Sequence, residues 1–137
     1  MRYLVDANVL SEPTKPSPNS SVLAWLREYE HELAISPVVL GELEYGILIL
    51  PASRRRAHLE EWFRAGVSRI RILDFDASTA AAWARLLARL KTKGRVMSIK
   101  DSLIAATASA HRLIVATRDV QGFRGAGATV ENPFDFK

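Results

Sequence analysis

The feature that most constrains this chain is an alternation. Short strand-like segments at residues 2–5, 33–35, 69–73, 113–117 and 128–131, of which 69–73 alternates charged and apolar residues, are separated by longer stretches with helical periodicity. Runs this short read as strands, because a helix needs roughly 10–12 residues to be recognised from its pattern. Strands separated by helices pair in parallel through right-handed crossovers, and the sheet must then be covered on both faces. The expected fold is α/β: three layers, α/β/α, around a short, mostly parallel central sheet.

The helical stretches carry their own stops and starts. One turn is expected over residues 8–12, after which Pro13, Pro16 and Pro18 break the chain. Ser20 or Ser21 can cap a helix through Glu30, with Val22, Leu23, Leu26 and Tyr29 at helical spacing. Ser36 followed by Pro37 starts a helix that runs to about Leu50, where Pro51 stops it. Ser53 caps the next helix, which turns Leu59, Trp62 and Phe63 inward and ends at Gly66. A long helix over residues 76–93 is closed by Gly94. Ser98 and Asp101 form an S-x-x-D start for a helix through His111.

Length and composition narrow the class. A chain of 137 residues is expected to be one domain, residues 1–137, burying roughly 68–70% of its unfolded surface. With no cysteine, thiolate metal sites, disulfides and thiol nucleophiles are excluded. The longest apolar run, residues 47–50, is far below the ~20 residues of a membrane span, and residues 1–6 show no secretory signal. A soluble, cytoplasmic protein without membrane contact is expected.

The net charge is +4 and the pI about 9.8, which favours an anionic partner such as nucleic acid. Residues 77–100 contain no acid but carry Arg85, Arg89, Lys91, Lys93, Arg95 and Lys100. Two readings stand: a solvated helix end with cations suited to its dipole, or a phosphate-binding rim of Arg89, Lys91, Lys93 and Arg95.

Among 15 acids, four are singled out by placement. In open parallel sheets the functional crevice lies beyond the carboxyl ends of the strands. Asp6 closes the first strand, Asp119 follows the fourth, and Asp101 lies in the first turn of the helix leading into that strand. Glu42 flanks a helix face of Val39, Leu43, Gly46 and Leu50, with Gly46 suggesting a close approach. Each has a plain structural alternative. Asp6 can cap the following turn, Asp101 can complete a capping box, Asp119 can be a turn aspartate before Gly122, and Glu42 can be solvated. His31, His58 and His111 fall outside these segments, and Trp25, Trp62 and Trp83 sit at core-like helical positions.

The segment Asp6-Ala7-Asn8-Val9-Leu10-Ser11-Glu12 resembles the opening motif of PIN-domain ribonucleases, especially VapC-type toxins. The remaining motifs follow in order. Residues 36–46, containing Glu42, resemble the family's glutamate segment; residues 98–108 resemble that of its third acid, Asp101; residues 115–119 resemble that of its fourth, Asp119. Two departures are visible: Ala7 stands where many members have threonine, and Gly122 where many have a further aspartate.

The resemblance implies an endoribonuclease acting on RNA, a homodimer, and a small cognate antitoxin as partner in a toxin–antitoxin pair. Clustered carboxylates repel one another unless a cation is present, and all-oxygen ligands select a hard ion, Mg²⁺ or Mn²⁺. Asp6 and Asp101 are then the expected firm ligands, Asp119 completes the set, and Glu42 orients water. Phosphatases of the aspartyl-nucleophile type fit less well, because Asn8 replaces the second acid of their D-x-D signature. Receiver domains expect paired acids earlier in the chain, and a non-catalytic scaffold does not account for the intact acid set.

Overall fold

The computed structural model describes residues 1–137. Five strands are present: β1 (Tyr3–Val5), β2 (Leu33–Ile35), β3 (Arg71–Ile72), β4 (Ile114–Ala116) and β5 (Val130–Glu131). Six helices connect them: α1 (Ala7–Leu10), α2 (Ser20–Glu28), α3 (Pro37–Leu48), α4 (Arg54–Ala65), α5 (Ala77–Thr92) and α6 (Ile99–His111). The sheet order is β3-β2-β1-β4-β5, and every pairing is parallel. The expected sheet is therefore present, and it is parallel throughout.

β1 lies at the centre, with Tyr3, Leu4 and Val5 at most 1% exposed. A strand buried on both faces must be apolar at every position, which is why it reads as a continuous run rather than an alternation. The chain moves outward from β1 to β2 and β3, then crosses back to place β4 on the other side of β1. With right-handed crossovers, that reversal puts α5 and α6 on the face opposite the earlier helices. It also opens a crevice between the carboxyl ends of β1 and β4.

The third strand is shorter than expected. Only Arg71 and Ile72 pair with β2, while Val67–Arg69 forms a 3₁₀ turn. β3 is an edge strand with a partner on one side only, its two residues are exposed, and the preceding 3₁₀ turn shortens it from the amino-terminal side. The cap of α2 is also corrected: Asn19, not Ser20 or Ser21, accepts the Val22 N–H at 3.2 Å. Ser36, Ser53 and Ser98 cap α3, α4 and α6 as read. Gly94, at φ +65°, follows the end of α5 in a conformation that favours glycine.

α5 and α6 pack antiparallel. Trp83 Nε1 donates to Ser102 Oγ at 3.0 Å, and Asp76 at the start of α5 lies in the field of His111 at the end of α6. The C-terminal end of α5, with its basic residues, thus returns to the sheet edge where α6 begins. Trp25 is a core residue: it meets Tyr3 edge-on at 4.8 Å, and Tyr29 extends the aromatic cluster.

Candidate active site

Asp6 leaves β1 where the strand stops, and its carboxylate serves two purposes. Oδ1 accepts the Ala7 N–H at 2.8 Å, which is the capping role anticipated for it. Oδ2 is held by the Thr117 hydroxyl at 2.8 Å and the Asn8 amide at 3.4 Å. The group is 2% exposed, so these bonds decide where it points.

Thr117, at the end of β4, organises this edge. Its hydroxyl donates to Asp6, and its oxygen accepts from Asn8 Nδ2 at 3.2 Å and from the Asp119 N–H at 3.0 Å. Asn8 Oδ1 in turn accepts the Arg118 N–H at 3.0 Å, tying α1 to the segment after β4. One buried threonine therefore fixes both Asp6 and the backbone that carries Asp119.

Asp119 also divides its oxygens. Oδ1 accepts the Gly122 N–H at 3.1 Å, the turn role expected of it, while Oδ2 faces the crevice beside Asp101 Oδ2. The convergence is visible at Gly122. A Cβ there would lie 2.7 Å from Asp101 Oδ2 and would also overlap Asp119 Oδ2. With the backbone placed this way, a side chain at 122 would meet the ends of both carboxylates and require them to shift, and Asp119 presents a carboxylate at this edge.

Asp101 is reached from α6. Its N–H donates to Ser98 Oγ at 3.1 Å, but no Ser98 N–H returns to its carboxylate, so only one arm of the capping box forms. The carboxyl group turns into the crevice. Burial raises its pKa above the ordinary aspartate value, and the charges of Asp6 and Asp119 push the same way against Ser98 and Lys100.

Glu42 comes from α3 across the crevice. The buried face of that helix is Val39, Leu43 and Ile47; Gly46 is exposed with open space around it, so it provides no close approach. What brings Glu42 to the site is Lys100, whose ammonium donates to Glu42 Oε2 at 2.9 Å. Burial lowers the Lys100 pKa, but the Glu42 hydrogen bond and the charges of Asp6, Glu42 and Asp101 outweigh it, and the net shift is upward. The other oxygen, Glu42 Oε1, is buried and has no hydrogen-bond partner.

Asp6, Asp101 and Asp119 are thus gathered at one edge, with Glu42 linked to them through Lys100. No three of these groups yet close into a tight cation shell. Three features still fit a hard cation: an all-oxygen donor set, carboxylates close enough to oppose each other's ionisation, and the orphaned Glu42 oxygen. Of the basic residues, Arg95 packs against Gly125 and the Arg89 guanidinium approaches Gly127, on the loop that follows Gly122. Lys91 and Lys93 are exposed and carry no ion pair.

Sequence reasoning missed Thr117 and Lys100 as site residues. Thr117 precedes a motif acid and Lys100 adjoins one, but their partners lie 111 and 58 residues away in the chain. His31 and His58 are exposed and half-buried His111 bonds the Thr107 carbonyl; none joins the acids.

A family model described as the PIN domain matches residues 3–127. The chain is 38% identical over 136 residues to VapC ribonuclease Y4jK of Sinorhizobium fredii, covering 96% of this chain and 97% of the relative. It is also 38% identical over 135 residues to Toxin FitB of Neisseria gonorrhoeae, with 96% and 97% covered. The crystal structure of FitAcB from Neisseria gonorrhoeae superposes with a TM-score of 0.91 at 36% identity, over 98% of this chain and 99% of that one. By its sheet order, its strand-edge acids and these matches, the chain belongs to the PIN-domain family, among relatives named as VapC ribonucleases and toxins.

Proposed function

We propose that this protein is a divalent-metal-dependent endoribonuclease and the toxin of a toxin–antitoxin pair. The observation that carries the reading is the convergence of Asp101 and Asp119 at Gly122, with Asp6 held beside them by Thr117. Ribonucleases of this family are as a rule divalent-metal dependent, and oxygen ligands favour Mg²⁺ or Mn²⁺. Asp6 and Asp101 are assigned as the main ligands, Asp119 as the group that completes them, and Glu42 as the acceptor that orients water. When bound, the ion supplies Lewis acidity to a phosphodiester oxygen and lowers the pKa of the attacking water.

The chain's own groups do the rest. Thr117 and Asn8 hold Asp6 Oδ2 in one orientation, so the carboxylate need not reorganise during the reaction. Water attack on phosphorus leaves a 5′-phosphate and a 3′-hydroxyl and makes no use of the 2′-hydroxyl. Arg89, Lys91, Lys93 and Arg95 form the rim that receives substrate phosphates, and single-stranded or looped RNA bends most readily into such a crevice.

The partners follow from the family: a second copy of the chain, and a cognate antitoxin whose guanidinium group would pair with the crevice carboxylates in bidentate fashion. Action on cellular RNA places the protein in the cytoplasm, and no helix is long and apolar enough to cross a membrane.

Asp6→Asn and Asp101→Asn should each lower Mn²⁺-supported RNA cleavage by at least about a hundredfold while circular dichroism stays unchanged. Cleavage at the wild-type rate by either variant would overturn the assignment. Mapping the product ends gives a second check: a 2′,3′-cyclic phosphate would exclude direct attack by water.

A further inference from the structure

Five ion pairs are present, and four of them join residues no more than four apart. The fifth, Lys100–Glu42, spans 58 residues and bridges two helices across the acid crevice. Lys100 lies in the first turn of α6, where the helix dipole disfavours a cation. Helix electrostatics therefore gives no reason for a lysine here. The acids do: Lys100 touches Glu42 and stands in the fields of Asp6 and Asp101.

We propose that Lys100 is the resident counter-cation of the acid cluster, holding Glu42 in the metal-free protein and competing with the divalent ion for the carboxylates. It is a positioning residue that sets the metal affinity of the site. This rests on the metal-site reading above.

Three observations support the role. The ammonium is bound to one Glu42 oxygen, while the other is buried and unpartnered, so the carboxylate is only half satisfied and ready for a stronger ligand. Both side chains are about two-fifths exposed, 40% and 38%, so the pair is screened and costs little to separate. A lysine carries a compact point charge on a flexible stem and can leave Glu42 by side-chain rotation alone, without movement of α6. The arginines at the rim are differently placed: Arg95 and Arg89 meet loop backbone rather than acids.

Competition makes a prediction that structural damage does not imitate. Damage to the site weakens metal binding, whereas loss of a competing charge tightens it. The test is calorimetric titration of Mn²⁺ into the full-length wild type, Lys100→Met and Lys100→Arg, with thermal melts of each in the presence and absence of Mn²⁺. Lys100→Met should bind Mn²⁺ roughly two- to fivefold more tightly, the range expected for removal of one screened competing charge. Its metal-free form should melt below wild type, and Mn²⁺ should raise its melting temperature by more than it raises that of wild type. Lys100→Arg, which keeps the charge, should stay near wild type. If Lys100→Met does not melt cooperatively, Lys100→Gln takes its place.

Unchanged or weaker Mn²⁺ binding by a folded, neutral variant overturns the counter-cation role and leaves the metal site standing. Failure of the wild type and both variants to bind Mn²⁺ overturns the metal-site reading and this proposal with it.

Discussion

At the scale of single residues, the site depends on two positions that carry no charge. Thr117 is fully buried, and its one hydroxyl connects Asp6, Asn8 and the Asp119 backbone. Thr117→Val keeps the shape but leaves those partners unsatisfied, which should cost about 1–3 kcal/mol in urea unfolding and reduce cleavage as well. Thr117→Ser, which retains the hydroxyl, should recover most of both. Gly122 is the second position. Gly122→Ala forces a methyl group against the Asp101 and Asp119 carboxylates. Overpacking of this kind costs about 1–3 kcal/mol, and at this rim it should appear chiefly as weaker Mn²⁺ binding, about tenfold or more by calorimetry. An alanine variant with wild-type metal affinity would show that the carboxylates move apart without penalty.

At the scale of elements, helix starts were the most legible features, because a cap is a local bond between residues three apart. Ser36, Ser53 and Ser98 all cap as read. The missed cap, Asn19, also acts across three residues, and its own N–H is tied back to Glu12 Oε2 at 2.8 Å, which anchors the start of α2 to the preceding turn. The role given to Gly46 was also wrong. Spacing showed which residues share a face of α3, but not that Ile47 would be buried on it while Gly46 faced solvent.

Two element ends also carry a pH dependence. Asp76, which caps α5, has its pKa lowered by the Thr79 N–H and hydroxyl; Glu12 has its pKa lowered by the Asn19 N–H and by Lys15. A carboxyl depressed in the folded state stabilises the protein above its unfolded value, and that stability is lost as pH falls through the folded value. The melting temperature should therefore drop on acidification below the ordinary carboxylate values of 4.5 and 3.8. Asp76→Asn should melt lower at neutral pH and lose less between pH ~5 and ~3, because it has no such proton to gain. An acid limb identical to that of wild type would remove Asp76 as a contributor.

At the scale of the whole molecule, a chain of net charge +4 gathers Asp6, Asp101 and Asp119 at one sheet edge with Lys100 beside them, while Lys91 and Lys93 stand exposed at the end of α5. On the proposed reading, long-range attraction would bring RNA toward the rim of Arg89, Lys91, Lys93 and Arg95. Replacing Arg89, Lys91 and Lys93 by alanine should weaken RNA binding and lower the slope of log K against log salt by about 2, at roughly 0.7 per phosphate contact on a single strand. Filter binding at several salt concentrations reads this directly. An unchanged slope would return those residues to the role of a solvated helix end.

The amino-acid sequence by itself determined the alternation of strands and helices, most of the caps, and the order of four acids in a PIN-like pattern. These are local or periodic properties, carried by neighbours along the chain. Only the tertiary structure decided that β3 is a short exposed edge, that Thr117 lies under Asp6, that Lys100 rather than Gly46 links Glu42 to the site, and that Gly122 lies against the Asp101 and Asp119 carboxylates. Each of those depends on groups brought together across the sheet edge from distant parts of the chain. Spacing along one sequence carries no measure of that distance.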